Sequence, residues 1–169
     1  MSYLCEPLNS SHKKELFDCG KPLLNSYLQM QAKQDVKRRL SVCFILPDND
    51  NRVKGYYTLS SSSIEKKWLP ETIAKKLPPS YQDLPVILLG RLAIASNYQG
   101  QKQGELLLLD ALKRAFKSSK FVGSMAVVVD PLDEEAVKFY LRYGFILISD
   151  SGKMFLPMDT IASLFPEEV

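Results

Sequence analysis

Tyr98-Gln-Gly-Gln-Lys-Gln-Gly-Glu105 stands between an apolar run, Val86 to Ile94, and a strongly helical run, Glu105 to Phe116. A strand, a glycine-containing turn and a helix start, in that order, make an anion cradle. The N–H groups of the turn and the helix N-terminus point at one place, and the ligand they favour carries phosphate. An acyl-CoA or a nucleotide is the first expectation. The turn is neither of the two common nucleotide fingerprints: G-x-G-x-x-G after a strand and G-x-x-x-x-G-K-[ST] are both absent from the chain.

Outward from this turn the pattern predicts a helix that buries Leu108, Leu112, Ala115 and Phe116, spaced i, i+4, i+7, i+8. Ser124 to Val129 is a continuous apolar strand of the kind covered on both faces. Asp133 caps a helix Glu134 to Tyr143 that Gly144 ends, and Phe145 to Ile148 with Met154 to Leu156 form a last strand pair before a small helix at Asp159 to Leu164. Upstream, Tyr3 to Leu8 reads as a strand and Ser11 to Phe17 as a short helix broken at Gly20. A second helix starts at Pro22 and runs into the basic stretch Lys33 to Arg39. Ser41 to Leu46 and Val53 to Ser60 flank the turn cluster Asp48 to Asn51 as a hairpin, with Gly55 marking a bulge or a close backbone approach. Pro70 to Leu77 reads as a short helix leading to the strand at Val86. The order is β, two helices, a β meander, then β-α-β-α-β: a single α+β domain over residues 1–169 with a mixed sheet.

Composition agrees with that size. The chain has 169 residues, 46% hydrophobic and 24% charged, which suits one ordinary core. No run of about 18 apolar residues occurs, so no membrane span is expected. The start, Met1 to Glu6, has no basic segment followed by an apolar one, so no signal peptide is expected and the default place is the cytoplasm. Three cysteines (Cys5, Cys19, Cys43) without a C-x-x-C argue against a disulfide scaffold and a zinc cluster, and they read as core residues. The one histidine, His12, reads as a solvated helix residue, so neither a His-based triad nor a metal site is expected. A net charge of +3 permits nucleic acid or an anionic cofactor without choosing between them.

The spacing Gln99-x-x-Lys102-x-Gly104 resembles the acetyl-CoA signature of the GNAT superfamily, Gln/Arg-x-x-Gly-x-Gly/Ala. Gly90-Arg91-Leu92-Ala93-Ile94 before the turn, the long helix after it, Val127-Val128-Val129-Asp130, and Ala136-x-x-Phe139-Tyr140-x-x-Tyr143-Gly144-Phe145 stand at fitting positions. In the N-terminal half, Phe17-x-Cys19-Gly20, Leu24-x-x-Tyr27-Leu28, Ala32-x-x-Asp35, Gly55 to Ser60, Leu69-Pro70 and Pro85-x-x-Leu88 to Ala93 are similar to one branch, the toxin-type acetyltransferases of bacterial toxin–antitoxin pairs. The resemblance implies a GNAT fold, a twisted sheet of about six to seven strands flanked by helices on both faces. It implies acetyl-CoA as donor, aminoacyl-tRNA as acceptor with translation stopped, and an antitoxin with a ribbon-helix-helix domain as partner. One position departs from the motif: the first glycine of the signature is Lys102 here. Lysine fits with a negative φ and an outward side chain, whose ammonium can pair with phosphate, whereas a site that requires φ > 0 binds the cofactor less well.

The resemblance also assigns roles. Backbone amides of Leu92, Ala93 and Ile94 polarise the thioester carbonyl and hold the pantetheine arm. Gln99, Gly100, Gln101, Lys102, Gln103 and Gly104 hold the diphosphate, with Ala136 and Phe139 beside the cofactor. Tyr140 serves as general acid to the departing thiolate, its phenol of ordinary pKa about 10 against about 8.5 for a thiol. Without the motif, Tyr140 reads as a packed amphipathic aromatic. Asp35, Glu65 and Asp130 are equal candidates for a general base, and water can also serve. Arg38, Arg39, Ser61 and Arg91 are candidate acceptor contacts; Arg91, just inside the cofactor strand, reads equally as a buried pairing residue, and Ser60 to Ser63 as a plain strand-to-loop transition. Lys33, Lys37, Lys66, Lys67, Lys75 and Lys76, with Lys113, Arg114, Lys117 and Lys120 on the exposed side of the long helix, are cations able to follow an RNA backbone or simply to face solvent. Two further functions stay open: acetylation of a small-molecule or protein amine with no toxin role, and a binder of this fold with an impaired cofactor site because of Lys102. A two-fold dimer is the commonest assembly for such a domain.

Overall fold

The structure, a computed structural model, describes residues 3–148 and 150–169; Met1 and Ser2, at the head of the segment searched for a leader, lie outside it, as does Ser149. The elements are β1 (Glu6–Pro7), α1 (Pro22–Ser26), a π-helical segment (Tyr27–Gln31), α2 (Ala32–Lys37), β2 (Val42–Pro47), β3 (Val53–Glu65), α3 (Glu71–Ala74), β4 (Asp83–Ile94), α4 (Gln103–Ser119), β5 (Ala126–Val129), α5 (Glu134–Arg142), β6 (Ile146–Leu147), β7 (Met154–Pro157) and α6 (Met158–Ala162). The strands form one seven-stranded mixed sheet in the order β1-β2-β3-β4-β5-β7-β6 with helices flanking it, the α+β architecture expected from the sequence. None of the described helices is long and apolar enough to cross a membrane. The chain divides into two compact units, Met1–Ser60 with Leu89–Leu112, and Ser61–Leu88 with Lys113–Val169.

In the first unit, β2 and β3 are the expected hairpin, paired Cys43 to Thr58, Phe44 to Tyr57 and Ile45 to Tyr56. The Asp48 carboxylate closes the turn by accepting the amides of Asp50 and Arg52. Successive strand residues face opposite ways, and the two tyrosines use that alternation. The Tyr56 hydroxyl donates to the carbonyl of Leu24 in α1 at 2.7 Å, and the Tyr57 hydroxyl donates to Asp110 Oδ2 in α4 at 2.7 Å. The hairpin is thereby clamped on both faces. Phe17, Tyr27, Leu28, Ala32, Cys43, Ile45, Tyr56 and Ala93 form the core on the α1–α2 side. All three cysteines are buried and in no disulfide.

Two expectations for the N-terminal segment are corrected. Ser11 to Phe17 is not helical. The Lys13 amide donates to the Asn51 carbonyl at 2.7 Å and the Lys13 carbonyl accepts from Val53, so the chain pairs with the entry of β3 instead of coiling on itself. His12 is not solvated. It is 4% exposed, its Nδ1 accepts the amide of Asn9, and its Nε2 lies 2.7 Å from Glu6 Oε1. The ring holds the β1 turn together. Tyr3 to Leu8 contributes only the two-residue β1.

In the second unit, β5 is buried at all four positions and pairs antiparallel with β7, Val127 opposite Leu156, while β7 pairs on its other side with β6. Ile64, Leu69, Leu84, Val86, Ala126, Val128, Ile148 and Phe155 form its core. Burying each large aliphatic or aromatic side chain contributes about 1.5–3 kcal/mol. Asp133 caps α5 as expected, accepting the Ala136 amide at 2.9 Å, and Gly144 leaves the helix with φ +90°.

The exposed cationic face expected for α4 is also corrected. Lys113 is 7% exposed and pairs with Glu168 Oε1 at 3.4 Å; Lys117 pairs with Glu168 Oε2 at 3.2 Å, and the Lys120 ammonium donates to the Glu168 carbonyl. One C-terminal residue gathers three of the lysines.

Candidate functional site

The turn from Tyr98 to Gly104 lies wholly in the first unit, between the end of β4 and the start of α4. Tyr98 closes a 3-10 turn, its amide donating to Ala95, and Lys54 sits over its ring with Nζ 4.9 Å from the centroid. From there the backbone is left-handed at Gly100 (φ +77°) and at Lys102 (φ +59°). Among the described residues, the amides of Gly100, Gln101, Lys102, Gln103, Gly104 and Glu105 donate no hydrogen bond; the first amide engaged is that of Leu106, to the Lys102 carbonyl. A helix start orphans its first N–H groups in any protein. Here the two left-handed residues extend that orphaned set backward into the turn, and such a run of amides with no internal acceptor is a concave anion site. The residues fit a diphosphate.

Lys102 does not take the negative φ that one form of the expectation gave it; it meets the condition of the other, a turn with φ > 0 at this position. Its φ is positive, and its side chain is exposed with no partner among the described residues. The lysine therefore adopts the glycine conformation the motif asks for, at the left-handed cost of roughly 1–2 kcal/mol that an L-residue carries there.

Gln99 has a role that the motif does not spell out. Its side-chain Nε2 donates to the Ile94 carbonyl at 2.8 Å and to the Cys19 carbonyl at 2.9 Å, fastening the turn to the end of β4 and to the loop before α1. Gly55 supplies the close approach expected of it. A Cβ there would stand 2.7 Å from Ile94 Cδ1 and 2.8 Å from the Ala93 carbonyl oxygen, so β3 passes β4 at Ala93–Ile94 with no room for a side chain. Ala93 and Ile94 are buried and Leu92 is half-buried.

Tyr140 belongs to the second unit. It is 7% exposed, edge-on to Phe139 (centroids 5.3 Å apart) and 5.1 Å from the ring of Phe145, while Ala136 occupies the first turn of the same helix. No described residue partners its hydroxyl, yet no described buried side-chain nitrogen or oxygen is left without a partner. The ring itself is covered by Phe139 and Phe145. Burial pushes the phenol well above its ordinary value, so it stays protonated through the working pH range.

The remaining candidates separate. Glu65 is exposed and paired with Lys67 at 2.9 Å, and Asp130 is exposed and paired with Lys153 at 3.4 Å. Asp35 instead accepts the Tyr27 hydroxyl at 2.7 Å. Arg38, Arg39 and Ser61 are exposed; Arg91 is half-buried. Cys43 is pushed up to about 12 by burial and Cys19 is raised by the same cause, so neither offers a thiolate nucleophile. The residues that sequence reasoning missed are Asp110, the buried carboxylate that anchors Tyr57 and the Leu4 amide, and the π-helical widening at Tyr27. An acidic residue at the centre of the apolar stripe of α4 was the available signal for the first; nothing marked the second.

Residues 15–145 match the model of the acetyltransferase (GNAT) family. A tRNA-acetylating toxin of Mycobacterium tuberculosis is 35% identical over 129 residues, covering 76% of this chain and 75% of that protein. Among solved structures, AtaT complexed with acetyl-methionyl-tRNAfMet aligns with a TM-score of 0.88 at 32% identity, over 97% of this chain and 99% of that one. A tyrosine-to-phenylalanine variant of AtaT bound to the C-terminus of the antitoxin AtaR and acetyl-CoA aligns with a TM-score of 0.81 at 29% identity, over 95% of this chain and 96% of that one. The turn of unbonded amides lies inside the matched stretch, and the chain belongs to the acetyltransferase (GNAT) family.

Proposed function

We propose that this protein is a toxin-type acetyltransferase that moves the acetyl group of acetyl-CoA to the amino group of aminoacyl-tRNA and so stops translation. The observation that carries the donor is the run of six unbonded amides from Gly100 to Glu105, with left-handed backbone at Gly100 and Lys102. The acceptor is supported by the relatives, one a tRNA-acetylating toxin and one solved with an acetylated aminoacyl-tRNA.

In this reading the amides of Gly100 to Gly104 take the diphosphate, with Gln99 bracing them, and the Leu92–Ile94 backbone holds the pantetheine arm and the thioester carbonyl. Ala136 and Phe139 pack beside the donor. The amine lone pair attacks the carbonyl carbon, the C–S bond breaks, the amine proton leaves to water, and the departing sulfur is met by the Tyr140 hydroxyl. With its phenol raised above an ordinary thiol, Tyr140 first stabilises the sulfur by a strong hydrogen bond and passes its proton as the thiol leaves, while water, which took the amine proton, returns one to the phenol oxygen. Arg38, Arg39 and Ser61 are surface contacts for the acceptor. Residues 1–169 act as one acetyltransferase domain in the cytoplasm, as a two-fold dimer, held silent by an antitoxin carrying a ribbon-helix-helix domain; AtaT in complex with the AtaR C-terminus is the supporting parallel.

The test is incubation of the purified protein with radiolabelled acetyl-CoA and bulk charged tRNA. Label should appear in the aminoacyl-tRNA fraction and vanish when the ester bond is hydrolysed before the reaction. Label only in protein or in small amines would end this reading.

A further inference from the structure

Arg91 is the residue whose chemistry the fold leaves unanswered. It stands on β4 one residue before Leu92, half-buried, with its guanidinium carbon 3.4 Å from the centroid of the Tyr27 ring. Tyr27 is fixed in turn. Its hydroxyl donates to Asp35 Oδ2 at 2.7 Å and lies 3.2 Å from Ser41 Oγ, and its ring stacks on Tyr56. The ring sits at the start of the π-helical segment, where the Ala32 amide reaches back to the Tyr27 carbonyl; such widenings recur at functional sites. All of these groups belong to the first unit.

The stack orients the guanidinium plane, yet its N–H donors have no hydrogen-bond or ion-pair partner among the described residues. The groups that feel its charge, Tyr27, Cys43 and Tyr56, are neutral. The aromatic ring offsets part of the desolvation of this half-buried guanidinium, but its N–H donors keep no hydrogen-bond or ion-pair partner among the described residues. That arrangement is characteristic of a planar fork waiting for an oxyanion. The anion is not the diphosphate already assigned to the turn, because Arg91 lies three residues upstream of Ile94, about 10 Å back along an extended strand.

We propose that Arg91, held flat by Tyr27, is a phosphodiester subsite for the acceptor: it grips a backbone phosphate in the single-stranded 3′ end of the charged RNA and so registers the aminoacyl group on the Leu92–Ile94 strand. This rests on the acceptor reading above. Asp35 and Ser41 act as positioning residues through Tyr27.

The experiment compares wild type, Arg91→Gln and Arg91→Lys on two acceptors, bulk charged tRNA and the methyl esters of the same amino acids, which carry no phosphate. Circular dichroism verifies folding. For Arg91→Gln we expect KM for charged tRNA to rise about tenfold or more, with kcat within twofold and acetyl-CoA affinity unchanged. Kinetics on the esters should not move. The slope of log(kcat/KM) for charged tRNA against log salt should fall by about 0.7, the value for one single-stranded phosphate. Arg91→Lys, which keeps the charge and loses the fork, should fall between. Equal losses on tRNA and ester, a loss of acetyl-CoA affinity, or no loss at all would each overturn the subsite. A wild type that labels esters but not charged tRNA would sink the acceptor reading, and this subsite with it; a wild type that labels tRNA alongside an indifferent Arg91→Gln sinks the subsite alone.

Discussion

Gly100 and Lys102 share left-handed backbone, φ +77° and +59°, two residues apart in the turn that opens α4. Glycine holds that conformation without strain, whereas lysine has a Cβ facing the following carbonyl. Replacing Lys102 by glycine removes that strain but gives the unfolded chain more freedom, worth about 0.4–1 kcal/mol the other way. The net expectation is a gain of up to about 1 kcal/mol, read as a small rise in Tm by thermal melting. The cradle amides keep their directions, so calorimetry should find acetyl-CoA affinity preserved or tightened. A fivefold weakening would mean that the exposed ammonium itself pairs with phosphate.

Gly55 presents the opposite constraint, one of space. With the Ala93 carbonyl 2.8 Å from a hypothetical Cβ, Gly55→Ala must push β3 off β4 at Ala93–Ile94, the strand end proposed above for the pantetheine arm. Backbone cannot yield as a side-chain tip can. The expected cost is about 1–3 kcal/mol, the range for overpacking, together with weakened acetyl-CoA binding. Denaturant melts and calorimetry on the same preparation would measure both, and a variant of native stability with native affinity would refute the close approach.

How far such features are readable from sequence varies with the distance over which they are determined. α5 is legible because its cap, Asp133, and its terminator, Gly144, are local, and α4 because its stripe, Leu108 to Phe116, repeats over more than two turns. Gly55 is legible because a glycine inside a β-branched and aromatic run weakens the strand unless a bulge or a neighbouring backbone requires it. The sign of φ at Lys102 is not, since a lysine tolerates either sign and the turn decides. Lys113 sits where the helical period puts a solvent-facing residue, but its burial comes from Glu168, 55 positions away by number. His12 escapes a local reading for the same reason: its acceptor, Glu6, belongs to a strand and not to the helix the local pattern suggests. Of the candidate site, the cradle is visible in its glycines, while the Tyr27–Arg91 stack joins two segments with no common motif.

Tyr140→Phe keeps the ring contacts with Phe139 and Phe145 and deletes only a hydroxyl that no described residue partners. Stability and acetyl-CoA affinity should stay within error of wild type, while turnover falls about a hundredfold or more, the range for loss of a positioned proton donor. The raised phenol adds a pH signature. A group lifted by burial keeps its proton past its ordinary value, so the turnover of wild type should show no alkaline decline from Tyr140 near pH 10. A descending limb at that pH that disappears in Tyr140→Phe would contradict the burial argument, and equal turnover would remove the assigned role.

Tyr57 and Asp110 form a pair buried on both sides, 2.7 Å apart, with the Leu4 amide on the other carboxylate oxygen. Tyr57→Phe leaves the ring stacked on Phe44 and takes one donor from a buried anion. The expected loss is about 1–3 kcal/mol by chemical denaturation, the cost of a buried acceptor losing one of its donors. Asp110→Asn should recover part of this in the double variant, because the neutral amide needs fewer donors. Additive losses in the double-mutant cycle would show that the two groups do not act as a pair.

Glu168, one residue before the last in the sequence, closes over Lys113 and Lys117, and the hydrogen bond from Lys117, with the charge of both lysines, holds its carboxyl below the usual carboxylate range. The sign follows from that depression. An acid whose folded-state pKa is lowered stabilises the fold at pH above its unfolded value, and the contribution disappears as pH falls through the folded one. Glu168→Gln should therefore destabilise the protein at pH 7, and the gap between variant and wild type should close as the solution is taken below about pH 4, near the ordinary glutamate value. Raising the salt at pH 7 should narrow the same gap through screening. Losing the Glu168 carboxylate also removes the negative charge beside Lys113 and Lys117, while Lys120 keeps the Glu168 backbone carbonyl, so the variant should bind non-specific RNA more tightly at low salt than wild type does. Filter binding at two salt concentrations measures this. An RNA affinity unchanged by the substitution would mean that the face of α4 stays neutral without the Glu168 carboxylate.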